Sequence, residues 1–306
     1  MYKDIETYKE GYLKVGGGHK LHYELSGNPK GKSVLFLHGG PGGGVREKDK
    51  YFFNPEKFKL ITFDQRGAKK SRPKGSLKNN KTKYLVKDIN KLLDHLDIDK
   101  TILFGGSWGS TLSLIYALQN KKRVKSMVLR GIYLPSKKEN DYFLYKAKDM
   151  FPKQWENFMN LVPEKNQNNV IQYFNKKIKT NNQTISEKYA KAWVEYELSI
   201  SKLKYNKSKI KEKIEKFDYK SFALIATHYL MNNCFIPEGY ILENANKLNM
   251  KVSIVHGRYD CVCSPLNAHK LNKKLPNSNL YFTLGGHSSS NKNTKKRLKM
   301  EMDKLS

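Results

Sequence analysis

Apolar positions along the chain fall into short runs separated by longer segments with helical spacing. Residues 21–25 alternate apolar and polar side chains, which is typical of a half-exposed strand. Residues 83–96 place apolar side chains three and four positions apart, which predicts an amphipathic helix. Compact apolar runs predict further strands, and these runs are 34–37, 60–63, 101–104, 124–129, 250–255 and 279–284. Because strands alternate with helices, we expect an α/β fold with a mostly parallel, doubly wound sheet.

The middle of the chain differs from the rest in composition and periodicity. From residue 136 to residue 233 it is polar and aromatic, has helical periodicity and carries few strand-like runs. Strands resume after this segment, and a final helix is expected from about residue 292. The pattern therefore predicts an inserted helical cap at 136–233 between the two parts of one core, 1–135 and 234–306.

The formal net charge of +30 over 306 residues is the unusual feature of the composition. A basic balance of this size can indicate a nucleic-acid or anionic-membrane partner. Here the lysines are spread along the whole chain, and no aromatic–basic module or basic tail stands out. We therefore expect no specific nucleic-acid partner, but only weak binding of polyanions at low salt.

The cysteines and the N-terminus indicate the compartment. Cys234, Cys261 and Cys263 offer neither an even disulfide framework nor the spacing of a metal site. The first residues lack the apolar core of a signal peptide, and no apolar run approaches the ~20 residues that a membrane span needs. We expect a soluble, cytoplasmic protein without a membrane partner, and the sequence leaves its oligomeric state open.

The predicted strand at 101–104 ends in the sequence Gly105-Gly106-Ser107-Trp108-Gly109, and a helical pattern follows. A G-x-S-x-G motif between a strand and a helix is the context of a nucleophile elbow, a sharp turn that projects the serine hydroxyl from the sheet edge. Ser107 is therefore a candidate nucleophile, and the N–H of Trp108 a candidate oxyanion donor. The alternative is a glycine-rich turn without chemistry.

A second glycine-rich loop follows the predicted strand at 34–37. Residues 38–44 read His-Gly-Gly-Pro-Gly-Gly-Gly, and such a loop exposes backbone N–H groups. We expect the N–H of Gly40 to be the second oxyanion donor. A phosphate-binding loop is the competing interpretation, but the Gly-Lys-Ser/Thr that would follow is missing.

Polar side chains also end the later strands. Asp260 follows the strand at 250–255, and His287 follows the last strand. A serine hydroxyl needs an adjacent base, so His287 is the candidate base and Asp260 its orienting acid. Asp64 also ends a strand, but we expect it to form a structural pair with Arg66. His38 is expected to support the glycine loop, and His256 lies inside a strand.

These motifs together resemble the proline iminopeptidases of the α/β-hydrolase superfamily, over nearly the whole chain. The shared segments are 38–43, 64–67, 105–110, 130–132, 256–260 and the Gly-His at 286–287. The resemblance implies the α/β-hydrolase fold and release of N-terminal proline from short peptides through an acyl-enzyme. It also implies Ser107 as nucleophile, His287 as base and Asp260 as orienting acid, without metal or organic cofactor.

The resemblance extends to the predicted cap. The family's Trp-x-x-Trp-Glu segment, whose glutamate binds the free amine of the substrate, reads Trp-Val-Glu-Tyr-Glu at 193–197. This match implies that Glu197 binds the substrate amine. A second family glutamate corresponds to Ala226, and Lys69 stands where the family usually has glycine. These departures bear on strict selectivity for proline.

Other functions fit the same motifs. A small-molecule esterase or amidase, or an aminopeptidase of broader specificity, would use the same scaffold. An epoxide hydrolase or dehalogenase would carry aspartate in place of Ser107. A catalytically inactive binding protein would keep the fold, but it would not need Ser107, Asp260 and His287 together.

Overall fold

The computed structural model describes residues 1–3 and 5–306, and its centre is an eight-stranded sheet. In spatial order the strands are β1, β2, β4, β3, β5, β6, β7 and β8. β1–β2 and β2–β4 are antiparallel, and the five other pairings are parallel. The strands are β1 Thr7–Gly16, β2 His19–Gly27, β3 Lys32–Leu37, β4 Phe58–Phe63, β5 Thr101–Gly106, β6 Val124–Arg130, β7 Lys251–Gly257 and β8 Ser278–Thr283.

Both faces of the sheet are covered, as a doubly wound fold requires. Side chains alternate along a strand, so neighbouring residues point to opposite faces. In β3, Leu35 and Leu37 belong to one apolar cluster, whereas Val34 and Phe36 belong to another. The continuous apolar runs of the sequence therefore mark strands that are buried on both sides.

The helices that flank and extend this sheet also follow the sequence pattern. The helix predicted at 83–96 is α1, and the helix that follows Ser107 is α2. The helices are α1 Thr82–His95, α2 Trp108–Gln119, α3 Lys137–Tyr145, α4 Pro152–Met159, α5 Val170–Ile178, α6 Gln183–Ile200, α7 Lys207–Glu215, α8 Tyr219–Leu230, α9 Tyr240–Asn244, α10 Pro265–Lys274 and α11 Lys292–Asp303. Within residues 1–3 and 5–306, no helix has the length and apolar character needed to cross a bilayer.

The stretch between β6 and β7 consists of helices and turns in the described chain. Its helices pack through aromatic side chains: the ring of Phe158 stacks on Tyr196 at a centroid distance of 4.3 Å and on Phe174 at 4.5 Å. Trp193 is fully buried beside them. The expected cap at 136–233 corresponds to α3 through α8, and its boundaries as a separate unit stay a prediction.

Strand β1 was not predicted from the sequence. It is an edge strand that pairs only with β2, and most of its residues are exposed. One face is partly buried, at Leu13 and Val15. Tyr8 and Tyr12 place aromatic rings on the exposed face, so apolar and polar side chains do not alternate along the strand.

Candidate active site

Ser107 occupies a sharp turn between β5 and α2. Its backbone has φ 58° and ψ −128°, a strained conformation for a residue with a side chain. The turn brings backbones so close that glycine is required on both sides of Ser107. A Cβ on Gly109 would lie 2.0 Å from the Leu37 carbonyl oxygen, and one on Gly105 would lie 2.2 Å from the Gly109 oxygen. The turn has the geometry that the G-x-S-x-G motif predicts.

His287 and Asp260 lie on neighbouring loops after β8 and β7. Nδ1 of His287 is 2.7 Å from Oδ2 of Asp260, and both residues are buried. The other carboxylate oxygen, Oδ1, accepts hydrogen bonds from the N–H groups of Val262 at 2.9 Å and Cys263 at 2.8 Å. The loop after β7 therefore fixes the carboxylate so that one oxygen is left for the imidazole.

Burial and charge act against each other in this pair. Burial lowers the pKa of His287 below its ordinary value, although the Asp260 carboxylate raises it. For Asp260, burial raises the pKa, but His287 and the backbone N–H groups outweigh it, so the carboxyl is ionised more easily than usual. At neutral pH the pair is therefore a neutral imidazole that donates its Nδ1–H to a carboxylate.

Arg130 stands between the histidine and the serine turn. Its Nη1 is 3.1 Å from Nε2 of His287 and 2.8 Å from the His287 carbonyl oxygen. The same guanidinium lies against Gly106, where an added Cβ would be 2.6 Å from Nη2, and the Arg130 carbonyl accepts the N–H of Ser107 at 2.8 Å. In this structure Nε2 of His287 therefore faces the guanidinium, and the Ser107 hydroxyl lies beside the thiol of Cys263.

The two candidate oxyanion donors flank the serine turn. Trp108 is the first residue of α2, so its N–H has no partner within the helix. The loop of Gly40 approaches from β3: an added Cβ on Gly39 would lie 3.3 Å from the Ser107 Cβ. In the described part of the chain, neither the Trp108 N–H nor the Gly40 N–H has a backbone acceptor. Both are available to an anion at Ser107.

His38 supports the glycine loop, as the sequence predicts. Its Nε2 accepts the N–H of Gln65 at 2.9 Å, and its Nδ1 is 2.9 Å from the Gly39 carbonyl oxygen. Gln65 returns a hydrogen bond to the His38 carbonyl and accepts one from the Trp108 indole at 2.8 Å. This buried network joins the glycine loop to the first residue of α2.

The predicted pairing of Asp64 with Arg66 is wrong. Arg66 forms a buried ion pair with Asp88 of α1 instead, with Nε 2.6 Å from Oδ2 and Nη2 2.7 Å from Oδ1. Asp64 accepts the N–H groups of Val45 at 2.7 Å and Lys70 at 3.1 Å. Each residue fixes a loop, but with a different partner, because α1 supplies the buried carboxylate that Arg66 needs.

Glu197 lies in α6, one helical turn before Ser201, which contacts the loop that carries His287. The Ser201 hydroxyl donates to the Glu197 carbonyl at 2.6 Å, and the Ser201 carbonyl accepts the N–H of Ser288, next to His287, at 2.9 Å. The Glu197 carboxylate is half-buried and has no salt-bridge partner in the described chain. Burial raises its pKa to about 7. An unpaired carboxylate in such surroundings is a candidate binding site for a cation.

Comparison with known proteins identifies the family. A family model described as the alpha/beta hydrolase fold matches residues 32–290. A proline iminopeptidase from Arabidopsis thaliana is 40% identical over 295 residues, which cover 94% of this chain and 77% of the relative. A proline iminopeptidase from Xylella fastidiosa is 38% identical over 293 residues, which cover 94% of each chain. This chain belongs to the proline iminopeptidase family.

Superposition on solved structures supports the α/β-hydrolase fold for this member of the proline iminopeptidase family. An esterase from Exiguobacterium antarcticum superposes with a TM-score of 0.69 at 16% identity, and the match covers 97% of this chain and 99% of the esterase. A haloalkane dehalogenase loop variant from Bradyrhizobium elkanii gives 0.68 at 15% identity, with 99% and 97% covered. The α/β-hydrolase fold expected from the sequence is confirmed.

Ala226, the position of the second family glutamate, lies in α8 and is buried. Two other residues of α8 contact the glycine loop: Phe222 would touch a Cβ on Gly40 at 3.2 Å, and Ile225 one on Gly42 at 3.0 Å. Residues four apart share a helix face, so Ala226 lies on the same side as Phe222. The position to which the resemblance assigns a second glutamate therefore shares a helix face with Phe222, which contacts the loop of Gly40.

One group of side chains outside this site has the composition of a metal site. Ligand atoms of Glu10, His22 and Glu24 on the β1–β2 hairpin lie within 4.8 Å of one another. Glu24 already accepts the ammonium groups of Lys50 at 2.7 Å and Lys70 at 3.0 Å. Because these two lysines lower the pKa of Glu24 to about 2 against the opposing effect of burial, the cluster is a neutralised ion network.

Two features of the site were missed from the sequence. Arg130 was noticed only as part of a shared segment, because nothing local indicates that its guanidinium reaches His287, 157 positions away. His256 joins the acid loop: its Nδ1 accepts the N–H of Ile132 at 3.1 Å, and its Nε2 is 3.4 Å from Oδ2 of Asp260. The sequence signal for His256 is its position four residues before the candidate acid Asp260.

Proposed function

We propose that this protein is a serine aminopeptidase that releases N-terminal proline from short peptides. The observation that carries the proposal is the connection of α6 to the loop of His287: Ser201, one helical turn after Glu197, accepts the N–H of Ser288 beside His287. A carboxylate for the substrate amine and a hydrolytic set of Ser107, Asp260 and His287 are what an aminopeptidase needs. The family relationship supports the same activity.

In the proposed mechanism, the Ser107 hydroxyl attacks the carbonyl carbon of the N-terminal proline. Nε2 of His287 exchanges the Arg130 guanidinium for the Ser107 hydroxyl and takes its proton. Asp260 holds the imidazole through Nδ1 and stabilises the imidazolium. The N–H groups of Gly40 and Trp108 bind the oxyanion of the tetrahedral intermediate.

The intermediate then collapses in the direction of peptide release. The imidazolium donates its proton to the leaving nitrogen, the C–N bond breaks, and the prolyl group stays on Ser107 as an ester. A water molecule, deprotonated by His287, attacks this ester and forms a second tetrahedral intermediate. Its collapse returns the proton to Ser107 and releases proline. No redox partner or cofactor enters the balance of these steps.

Glu197 gives the proposed enzyme its requirement for a free amine. The substrate has a protonated secondary amine two bonds from the carbonyl that Ser107 attacks. In a half-buried site this cation needs a carboxylate, because an unpaired charge there is costly. The raised pKa of Glu197, about 7, is the property of a carboxylate that lacks such a cation.

Ala226 favours a broader aminopeptidase as the second candidate function. With one carboxylate instead of the two that the family resemblance implies, the amine is bound from one side only. A substrate whose amine sits differently from that of proline is then rejected less strictly. If the substrate amine contributed nothing to binding, the same scaffold would act as a general esterase or amidase.

The proposal also assigns the enzyme to the cytoplasm. Cys234, Cys261 and Cys263 are buried free thiols, and the substrate class is short peptides. Thiols without disulfide partners are typical of a reducing compartment.

The experiment that tests the function compares three substrates: a prolyl amide with a free amine, its N-acetylated form and a simple ester. We expect kcat/KM to be highest for the free-amine amide and at least tenfold lower for the acetylated form. Ser107→Ala should lose several powers of ten with all three and keep its thermal unfolding temperature. A wild-type enzyme that cleaves the acetylated amide as well as the free one would support the amidase alternative.

A further inference from the structure

The first helix of the cap, α3, is hydrogen-bonded to the loop that carries Asp260. The Tyr142 hydroxyl donates to the backbone carbonyl of Asp260 at 2.8 Å. Tyr142 is half-buried and lies on the middle turn of α3, which begins seven residues after the last residue of β6. This bond ties a side chain of the cap to the backbone of the candidate catalytic acid.

Glu139, one turn earlier on α3, binds the same loop further along. Its Oε1 accepts the N–H of Ser264 at 2.9 Å, and its Oε2 lies 2.5 Å from Nδ2 of Asn267. Glu139 is only 3% exposed. Its own backbone N–H is capped by the Ser136 hydroxyl at 3.1 Å, so the start of the helix is fixed as well. Two side chains one turn apart therefore hold the loop that begins at Asp260 and the first turn of α10, which follows it.

α3 also contacts the helix that carries Glu197, through the residue that follows Tyr142. Phe143 packs against Trp193 and Tyr196 of α6 at ring-centroid distances of 5.6 and 5.3 Å. The Tyr196 hydroxyl also donates to the Phe143 carbonyl at 2.9 Å. Tyr142 and Phe143 are neighbours in sequence, so one short helix contacts both the acid loop and the helix of the candidate amine site.

We propose that Tyr142 and Glu139 are positioning residues, which orient the Asp260 carboxylate towards His287 and set its position relative to Glu197. The proposal rests on the proposed function only in taking Asp260 as the acid of the catalytic set. It extends that function by giving the cap a role in the hydrolytic chemistry itself, besides covering the substrate. Neither side chain touches the reacting atoms.

The physical consequence concerns the histidine. The Asp260 carboxylate raises the pKa of His287 against the lowering effect of burial. A small rotation of the acid loop lengthens the 2.7 Å contact between Nδ1 and Oδ2 and weakens that effect. Loss of the positioning contacts should therefore lower the pKa of His287, which moves the acid limb of the kcat/KM profile to lower pH. It should also reduce kcat, because a less basic and less ordered imidazole is a poorer proton acceptor.

Tyr142→Phe is the decisive variant, because it removes one hydroxyl and keeps the ring. We expect kcat to fall about five- to tenfold with KM within twofold, and the acid limb to move down by about half a pH unit. The matched control is Tyr145→Phe. Tyr145 is also half-buried and on α3, but its hydroxyl donates at 2.6 Å to the carbonyl of Gln167, away from the acid loop. Tyr145→Phe should leave kcat and the acid limb of the kcat/KM profile unchanged.

Glu139 provides a second test. Burial raises its pKa to about 8, although the donors from Ser264 and Asn267 lower it, so at neutral pH it is mostly an uncharged carboxylic acid. Glutamine has the same shape. It can keep both hydrogen bonds if the side-chain amide of Asn267 rotates by 180°, so that its oxygen accepts from the glutamine N–H. Glu139→Gln should therefore keep kcat within about twofold, while Glu139→Ala should resemble Tyr142→Phe. Equal losses in the glutamine and alanine variants would overturn the hydrogen-bonded role of Glu139.

A titration of His287 by NMR makes the result independent of the substrate. The ring resonance is assigned by its loss in His287→Gln, and its pKa is measured in the wild type, Tyr142→Phe and Tyr145→Phe without substrate. A lower pKa in Tyr142→Phe alone supports the positioning role. An unchanged pKa together with an unchanged kcat overturns it. If prolyl amides are not cleaved, the proposed function fails, and this titration still decides the role of Tyr142.

Discussion

Nη1 of Arg130 lies 3.1 Å from Nε2 of His287, the nitrogen that the proposed mechanism needs as proton acceptor. Because a guanidinium has no lone pair to offer, the contact requires that Nε2 accepts and that Nδ1 carries the proton for Asp260. The structure therefore holds the tautomer suited to general-base catalysis. It also means that a positive charge lies next to the site where the imidazolium forms.

Replacing Arg130 should change the ionisation of this histidine. The guanidinium lowers the pKa of His287, since two neighbouring cations repel each other. Arg130→Met removes the charge and should raise the pKa, so the acid limb of kcat/KM should move up by about half to one pH unit. The measurement is a pH–rate profile with the best substrate.

Arg130→Lys is the control for this prediction, because it keeps a cation but loses the fork that reaches both Nε2 and the carbonyl of His287. Its acid limb should stay nearer to that of the wild type. An acid limb that stays in place or moves down in Arg130→Met would contradict the electrostatic role. The loss of the 2.8 Å bond to the His287 carbonyl would appear separately, as a lower kcat.

The sequence predicted those parts of the site that depend on local geometry. The turn at Ser107 needs glycine at positions 105 and 109, so its motif is visible in five residues. The pair of Asp260 and His287 follows from the order of the strand ends. Arg66 was given the wrong partner, because Asp88 is 22 positions away on a helix whose register in three dimensions no local pattern defines.

The missed residues share a physical reason. Arg130 and Tyr142 act through contacts between segments that meet only after β6 and β7 pair and α3 folds over the acid loop. Tyrosine and arginine are frequent on helix and strand surfaces, and their spacing carries no chemical signature. The β1 strand was missed because Tyr8 and Tyr12 lie on its exposed face and hide the alternation with the partly buried face.

The buried ion pair of Arg66 and Asp88 should be important for stability. Asp88 is fully buried, and its replacement leaves the buried Arg66 guanidinium without a carboxylate to neutralise it. Asp88→Asn should lower the free energy of unfolding by about 3–5 kcal/mol. On the same helix, Asp94 pairs with Arg123 at 2.6 Å but is 65% exposed, so Asp94→Asn should change it by less than about 1 kcal/mol. Urea titrations compare the two, and equal effects would contradict this assignment.

Glu197 should add its own pH dependence to the reaction. With a pKa of about 7, its carboxylate gains a proton as the pH falls and then cannot pair with the substrate ammonium. We therefore expect KM for the free-amine prolyl amide to rise below about pH 7, whereas KM for a neutral ester should stay constant. Protonation of Glu197 and protonation of His287 can be told apart, because protonation of His287 slows the reaction of both substrates alike.

Glu197→Gln should abolish this difference between the substrates. Truncating one side of a buried charge pair costs about 2–5 kcal/mol. At 1.36 kcal/mol for each factor of ten, kcat/KM for the prolyl amide should fall roughly thirtyfold or more, with little change for the ester. The matched control is Glu195→Gln, because Glu195 lies on the exposed face of α6. A variant Glu197→Gln that slows all substrates equally would exclude amine recognition by this residue.

Ala226→Glu tests whether the missing second carboxylate sets the selectivity. Ala226 is 1% exposed, and its α8 neighbours Phe222 and Ile225 contact the glycine loop, so the new side chain has to point towards that loop or disturb the packing. A second carboxylate that reaches the substrate ammonium would hold this cation together with Glu197. We expect the ratio of kcat/KM for free to acetylated amide to increase about tenfold or more. Ala226→Gln has nearly the same volume without the charge and should not increase the ratio. If the glutamine variant sharpens the preference as much as the glutamate variant, the effect is steric, and selectivity for the amine rests on Glu197 alone.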